Sequence, residues 1–356
     1  MLYYYKYLDH HRIQTLHQFI EDFFEQIHIY NKKQFSLTLL HQNFVPIADA
    51  YKNALLNHLQ EVFSEYKKLE TEEQDKIHKG FKTNNDIQKL CKGEGDPLRY
   101  EDLSPGISTA LKKLFYNLYE QILNRKEYCD RYGNQKEHFE EFCKLNKEAM
   151  VCPFCGLTDL PSEYDSFRAD YDHFLAKGIF PFNSVNFRNL VPMCSVCNSK
   201  FKKQKNILYR ENKKENRRKV FYPYHVNPGE ISIEIIIEKD IDIETGNNYK
   251  VEINGAADTR EEINTWDEIF EIKERYLAVI KKKSNWWIEL FKFEYKKWRK
   301  KGDNDFSEFI DDTLEILAFK KFQDKAFLQR SYFQYLSTDQ EEFKNNLEET
   351  IDSGVL

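Results

Sequence analysis

The sequence predicts an α+β fold, with a mainly helical N-terminal domain, a small zinc-stapled central segment, and a C-terminal β-hairpin followed by helices. Three observations carry this expectation. Apolar residues recur at helical spacing through most of the first 148 positions. Two Cys-x-x-Cys pairs, Cys152/Cys155 and Cys194/Cys197, bracket a stretch of short apolar runs punctuated by Pro, Gly and Asn. Beyond it, Ile231-Ser232-Ile233-Glu234-Ile235 alternates as strands do, and Tyr249, Val251 and Ile253 alternate again.

Composition bounds the answer further. The chain has 356 residues, of which 41% are hydrophobic and 15% aromatic, enough apolar material for a core and too much for disorder. Its length suggests two or three domains, with boundaries expected at 1–148, 149–225 and 226–356. A net charge of −6 excludes a globally basic nucleic-acid binder, so any such role rests on local charge. The longest aliphatic cluster, around Ile235 to Ile237, is far short of the roughly 20 residues of a membrane span. Met1-Leu2-Tyr3-Tyr4-Tyr5-Lys6 lacks a secretory pattern. The expectation is a soluble, cytoplasmic protein. Seven cysteines are too few and too clustered for a disulfide scaffold, and Cys91, Cys129 and Cys143 are expected to be reduced thiols.

The elements follow in order. Ile13, Leu16, Phe19, Ile20, Phe23, Phe24 and Ile27 form one helical stripe, and Ala48, Tyr51, Leu55, Leu59, Val62, Phe63 and Tyr66 a second. A polar stretch (70–82) and a turn-rich loop (92–97) follow. Ser104-Pro105 is expected to be the N-cap and first residue of a helix whose stripe is Ile107, Leu111, Leu114, Phe115, Leu118 and Ile122. The first 148 residues hold 21 basic and 23 acidic groups and show no chemistry of their own. The turn of the C-terminal hairpin is placed at Thr245-Gly246-Asn247-Asn248. Helices return after Thr259 through Trp266, Ile269, Ile272, Tyr276 and Ile280. The aromatic and basic stretch 281–301 is best explained by a helix with Trp287, Leu290, Phe291 and Trp298 in the core and its lysines exposed.

Chemistry concentrates in the middle. Two identical Cys-x-x-Cys pairs supply four thiolates, which close a tetrahedral Zn²⁺ site and leave no position for substrate. The 38 residues between Cys155 and Cys194 exceed the roughly 15–20 of a simple zinc ribbon, so the site carries an insert. That insert holds Asp170-Tyr171-Asp172-His173-Phe174-Leu175-Ala176-Lys177, then Phe187-Arg188-Asn189-Leu190-Val191-Pro192-Met193, leading into Cys194-Ser195-Val196-Cys197-Asn198. His173 can act as a base near neutral pH. Adjacent residues on a strand point to opposite sides, so Asp172 reaches the same space only if the strand bends.

In these residues the chain resembles the HNH (ββα-metal) endonucleases in their zinc-stapled form. The resemblance covers about 75 residues, including the Asp-His pair, the Asn nine positions before Asn198, and the Phe221-Tyr222-Pro223-Tyr224 segment downstream. It implies His173 as general base, Asp172 and Asn198 as ligands of a catalytic Mg²⁺ or Mn²⁺, and Asn189 as the residue that fixes the loop and orients His173. Two departures stand out: Ala176 where the family often has Pro, and Phe201 where it often has Lys. Lys200 to Lys219 contains ten Lys/Arg and two Glu. With Lys177, the cations Lys200, Lys202, Lys203 and Lys205 are candidates for phosphate contact.

The resulting expectation is a metal-dependent nuclease acting on DNA. The resemblance also implies a prokaryotic defence or restriction-type setting, with an ATPase or sensor partner protein or a homodimer. The alternatives are a non-catalytic zinc-bearing module that binds nucleic acid or protein, and an RNA-directed nuclease.

Overall fold

The computed structural model describes residues 1–147, 151–225, 231, 233–239, 249–300, 302 and 305–352. The fold is α+β, largely helical, with two small antiparallel sheets. The chain forms two compact units. One comprises Met1, Tyr3–Phe154 and Asp159–Ile231, and the other Leu2, Cys155–Thr158 and Ser232–Leu356. The helical region and most of the central segment therefore share one unit, although composition separates them near residue 148.

In the first unit α1 (Thr15–Ile29) buries Leu16, Phe19, Ile20, Phe23, Phe24 and Ile27, the stripe expected from spacing. The second stripe is divided into α2 (Val45–Ala50), a π-helical turn (Lys52–Leu56) and α3 (Asn57–Tyr66). The break falls at Tyr51, whose φ/ψ of −118/53° lie outside the helical region. α4 (Thr71–Asn85) occupies the polar stretch and buries only Ile77, Gly80, Phe81 and Asn84. After α5 (Ile87–Cys91), α6 (Pro105–Glu120) begins at the expected proline. The Ser104 hydroxyl does not cap its own helix; it donates to Glu73 Oε2 at 2.8 Å, tying α6 to α4. α7 (Lys126–Tyr132) is followed by α8 (Gln135–Leu145), which opens on an Asn134/Glu137 capping box.

The first sheet is the hairpin of β1 (Asp170–His173) and β2 (Leu190–Met193), with Asp172 opposite Val191 and His173 opposite Leu190. Its long loop, 174–189, rests on the helices. Phe182 is fully buried at φ +83°, a conformation costly for a bulky L-residue. Its ring is held by Phe24 of α1, Phe81 of α4 and Phe115 of α6, at centroid distances of 5.3, 5.3 and 5.8 Å. Asn84 donates to the carbonyls of Leu98 and Pro181 at 2.8 and 3.0 Å, and Ser184 Oγ donates to Phe115 O at 2.9 Å. The helix expected after the second cysteine pair is short and ends in a π-helical turn, Cys197–Lys202.

The second unit contains β3 (Ile233–Lys239) and β4 (Tyr249–Gly255), paired with Ile235 opposite Ile253. The hairpin turn expected at 245–248 lies outside the described residues. α9 (Arg260–Phe270) and α10 (Ile272–Arg299) are separated by Glu271 in the left-handed region. α11 (Phe306–Phe319), α12 (Ala326–Leu336) and α13 (Gln340–Asp352) follow. α10 buries Trp287 and Phe291 and leaves Lys281 and Lys282 exposed, but of the other two residues expected in the core Leu290 is 36% exposed and Trp298 only half-buried. Among the described residues no helix is long and apolar enough to cross a membrane.

Phe182→Ala removes the ring that joins the loop to three helices while leaving its positive φ in place. It should destabilise the first unit by about 3–5 kcal/mol, read as a lowered midpoint in urea unfolding followed by tyrosine fluorescence.

Candidate active site

The four sulfurs of Cys152, Cys155, Cys194 and Cys197 are buried and lie within 4.8 Å of one another. A tetrahedral zinc with Zn–S bonds of about 2.3 Å would space its sulfurs about 3.8 Å apart, so the cluster could hold a zinc ion. The knuckle geometry supports that reading. The Leu157 and Cys197 amides donate to the sulfurs of Cys155 and Cys194, each at 3.4 Å. Gly156 takes φ +65°, which lets the first knuckle turn immediately after Cys155. With four protein sulfurs such a site is structural.

Beside the second knuckle a cleft of about 400 Å³ is lined by Asp172, His173, Asn198, Lys177, Lys203 and Tyr119, with Arg168 and Asp170 also on its wall. Asp172 and His173 both line this cleft although they are successive residues at the end of β1. His173 Nε2 donates to Ser184 O at 2.9 Å, a tautomer assigned from that bond, which leaves Nδ1 as the proton acceptor. Burial, with Lys177 nearby, depresses the imidazole pKa to about 3 and so holds the ring neutral.

Asn189 is fully buried and staples the loop at both ends. Its Nδ2 donates to Leu175 O at 3.0 Å and Asn183 O at 3.3 Å, and its Oδ1 accepts from Leu175 N at 2.7 Å. The Asn183 bond lies one residue from the carbonyl that holds His173, so Asn189 positions the ring through the backbone. β2 is braced from its other side: Tyr222 donates to Arg188 O (3.0 Å), Tyr224 to Leu190 O (2.6 Å) and Tyr5 to Pro192 O (3.2 Å). That is the observed role of the Phe221–Tyr224 segment.

The lysines separate into two groups. Lys200, Lys203 and Lys205 are exposed, and Lys203 lines the cleft. Lys177 is half-buried, ion-paired with Glu120 Oε1, and its ammonium lies 4.7 Å from the centre of the Tyr119 ring. Lys202 departs from the expected phosphate-facing position and is fully buried. Its ammonium pairs with Asp172 Oδ2 at 2.8 Å and donates to His173 O at 2.8 Å. Burial raises the Asp172 pKa and Lys202 opposes that shift. Much of the basic run beyond is also engaged internally. Lys214 pairs with Asp102, Arg217 donates to Leu90 O, and Arg218 donates to Ile207 O.

A divalent cation fits this cleft by donor chemistry. Asp172 Oδ1 takes no hydrogen bond among the described residues, and the half-buried Asn198 supplies an amide oxygen on the same wall. One carboxylate and one amide, completed by water, suit Mg²⁺ or Mn²⁺.

Comparison with known proteins returns no matching family model, no matching curated protein and no matching solved structure. The reading of the cleft therefore rests on its own residues. Sequence reasoning brought together Asp172, His173, Asn189, Asn198 and the four cysteines; it missed Tyr119, Arg168 and Ser184. No local signal marks these three, because each acquires its place through tertiary packing.

Two outcomes follow. The purified protein should carry one zinc per chain by elemental analysis. Cys194→Ser should lower that stoichiometry and remove hydrogen-exchange protection across 170–205. Lys202→Met should strand the Asp172 carboxylate without its cation and cost about 3–5 kcal/mol, part of which returns in the double variant with Asp172→Asn. Thermal melts of the three proteins check this.

Proposed function

We propose that the protein is a metal-dependent endonuclease that hydrolyses phosphodiester bonds of DNA. The observation that carries the proposal is the convergence of His173, Asp172 and Asn198 on one cleft, with the imidazole tautomer set by Ser184 O. Hydrolysis needs an acceptor for the proton of water, and Nδ1 of His173 carries none; burial makes the ring a weak base in the free protein, and a bound phosphate anion, which favours the imidazolium, is what would strengthen it. Asp172 and Asn198 would hold the divalent cation, which when bound supplies neutralisation of the phosphate and its leaving oxygen. Lys203 adds positive charge at the cleft, and Lys177 adds more once phosphate displaces Glu120 from its ammonium. Asn189 and Ser184 keep the ring in place without touching substrate.

The zinc cluster supports the reading as a scaffold, because its second pair leads directly into Asn198. Its saturated sulfur shell has no part in the chemistry. Lys202 takes over from solvent the stabilisation of a buried carboxylate, and it tethers the Asp172 side chain to the His173 backbone.

Zinc-loaded protein should cleave duplex DNA with Mg²⁺ or Mn²⁺, and His173→Ala should lower the rate by about 10²–10⁴-fold. The variant's thermal midpoint should stay close to that of the wild type. Parallel single-stranded DNA and RNA substrates define the preference. Wild-type protein that cleaves none of them with either ion, or a His173→Ala variant as active as wild type, would overturn the assignment.

A further inference from the structure

The helical region contributes a side chain to the cleft that the zinc-stapled segment does not supply. Tyr119 lies in the last turn of α6, well outside the central segment, yet it lines the same cleft as Asp172, His173 and Asn198. Its ring meets the His173 imidazole edge-on, at a centroid distance of 4.4 Å and an interplanar angle of 68°. The Lys177 ammonium sits over the ring at 4.7 Å and is itself held by Glu120, the next residue of α6. The aromatic body is therefore fixed between the candidate base and a cation, which leaves the phenol as its functional end.

That hydroxyl makes no hydrogen bond to another described residue and is not fully buried, so it is available at the cleft. Burial pushes its pKa up to about 12, so at neutral pH the group is a donor and not an anion. A donor without a protein partner, beside a neutral imidazole and with Lys177 and Arg168 offsetting the carboxylates of Glu120, Asp170 and Asp172, can serve a phosphate oxygen. Stacking on a nucleobase suits it less, because Lys177 occupies the ring.

We propose that Tyr119 is a substrate-contacting residue: its ring braces the His173 imidazole, and its hydroxyl donates a hydrogen bond to a phosphate oxygen of the nucleic acid. The proposal rests on the nuclease reading of this cleft and adds the helical region to it.

Tyr119→Phe keeps the ring and removes only the hydroxyl; Tyr119→Leu removes both. The full chain carrying His173→Ala, with and without Tyr119→Phe, is titrated against a fluorescein-labelled duplex oligonucleotide in Ca²⁺ and followed by anisotropy. Loss of a hydrogen bond to a charged group should weaken binding about tenfold or more. The thermal midpoint and the zinc content should not change. With His173 intact, Tyr119→Phe should lower kcat/KM for cleavage by a similar factor, and Tyr119→Leu should lower kcat further as the imidazole loses its brace.

Equal binding and equal cleavage by the wild type and Tyr119→Phe overturn the phosphate contact, as does failure of the His173→Ala chain to bind the duplex. If the wild type cleaves nothing, the nuclease reading fails separately. The anisotropy comparison then still decides whether Tyr119 touches a phosphate.

Discussion

The candidate site depends on one buried amide. Asn189 closes the 174–189 loop by bonding both backbone groups of Leu175 and the carbonyl of Asn183. A loop of this length, with no regular structure of its own, would otherwise be a source of conformational freedom. Buried polar groups in a low-dielectric interior must be satisfied, and a fully satisfied amide specifies one arrangement of the chain around it. Because Ser184 O is one residue from a bonded carbonyl, the restraint passes directly to His173. The ring that would move a proton is thus placed by main chain, and the main chain by a side chain.

The helices give that loop its floor. Phe182, held at a positive φ, is tolerated because Phe24, Phe81 and Phe115 surround its ring. Strained backbone persists where the surroundings over-determine it, and here three helices do so beside the candidate base. This gives the near-neutral N-terminal region a function that its charge and periodicity conceal. It is a mould for the loop, and through Tyr119 it also forms part of the cleft wall.

Much of this was legible in the sequence wherever the signal is local. The α1 stripe, the Ser104-Pro105 helix start, the alternating strands of the C-terminal sheet and the paired cysteines each depend on neighbours a few residues apart. Asp172, His173, Asn189 and Asn198 were legible because their spacing resembles that of a known motif. α4 was hidden because only two of its buried residues, Ile77 and Phe81, are bulky and apolar, the others being Gly80 and Asn84. A Cβ on Gly80 would stand 2.7 Å from Leu98 Cδ2, so the helix makes its contact by having no side chain there. The direction of Lys202 was hidden for a different reason. The turn after Cys197 is π-helical, with the Lys203 amide bonded to Asn198 O at 2.8 Å, and its wider turn carries residue 202 to the inner side. A lysine run in a sequence has no inside or outside, and only the helical phase assigns one.

The tyrosine braces on β2 have a consequence for association between molecules. The carbonyls of Leu190 and Pro192 are turned away from β1, and both are occupied by phenols. Pro192 also offers no amide on that side. A two-stranded ribbon would ordinarily present an open rim of donors and acceptors on which another chain could lengthen the sheet. Here that rim is sealed by tyrosines from either side of it in the sequence, so the ribbon can stay small and still resist joining a neighbour edge to edge.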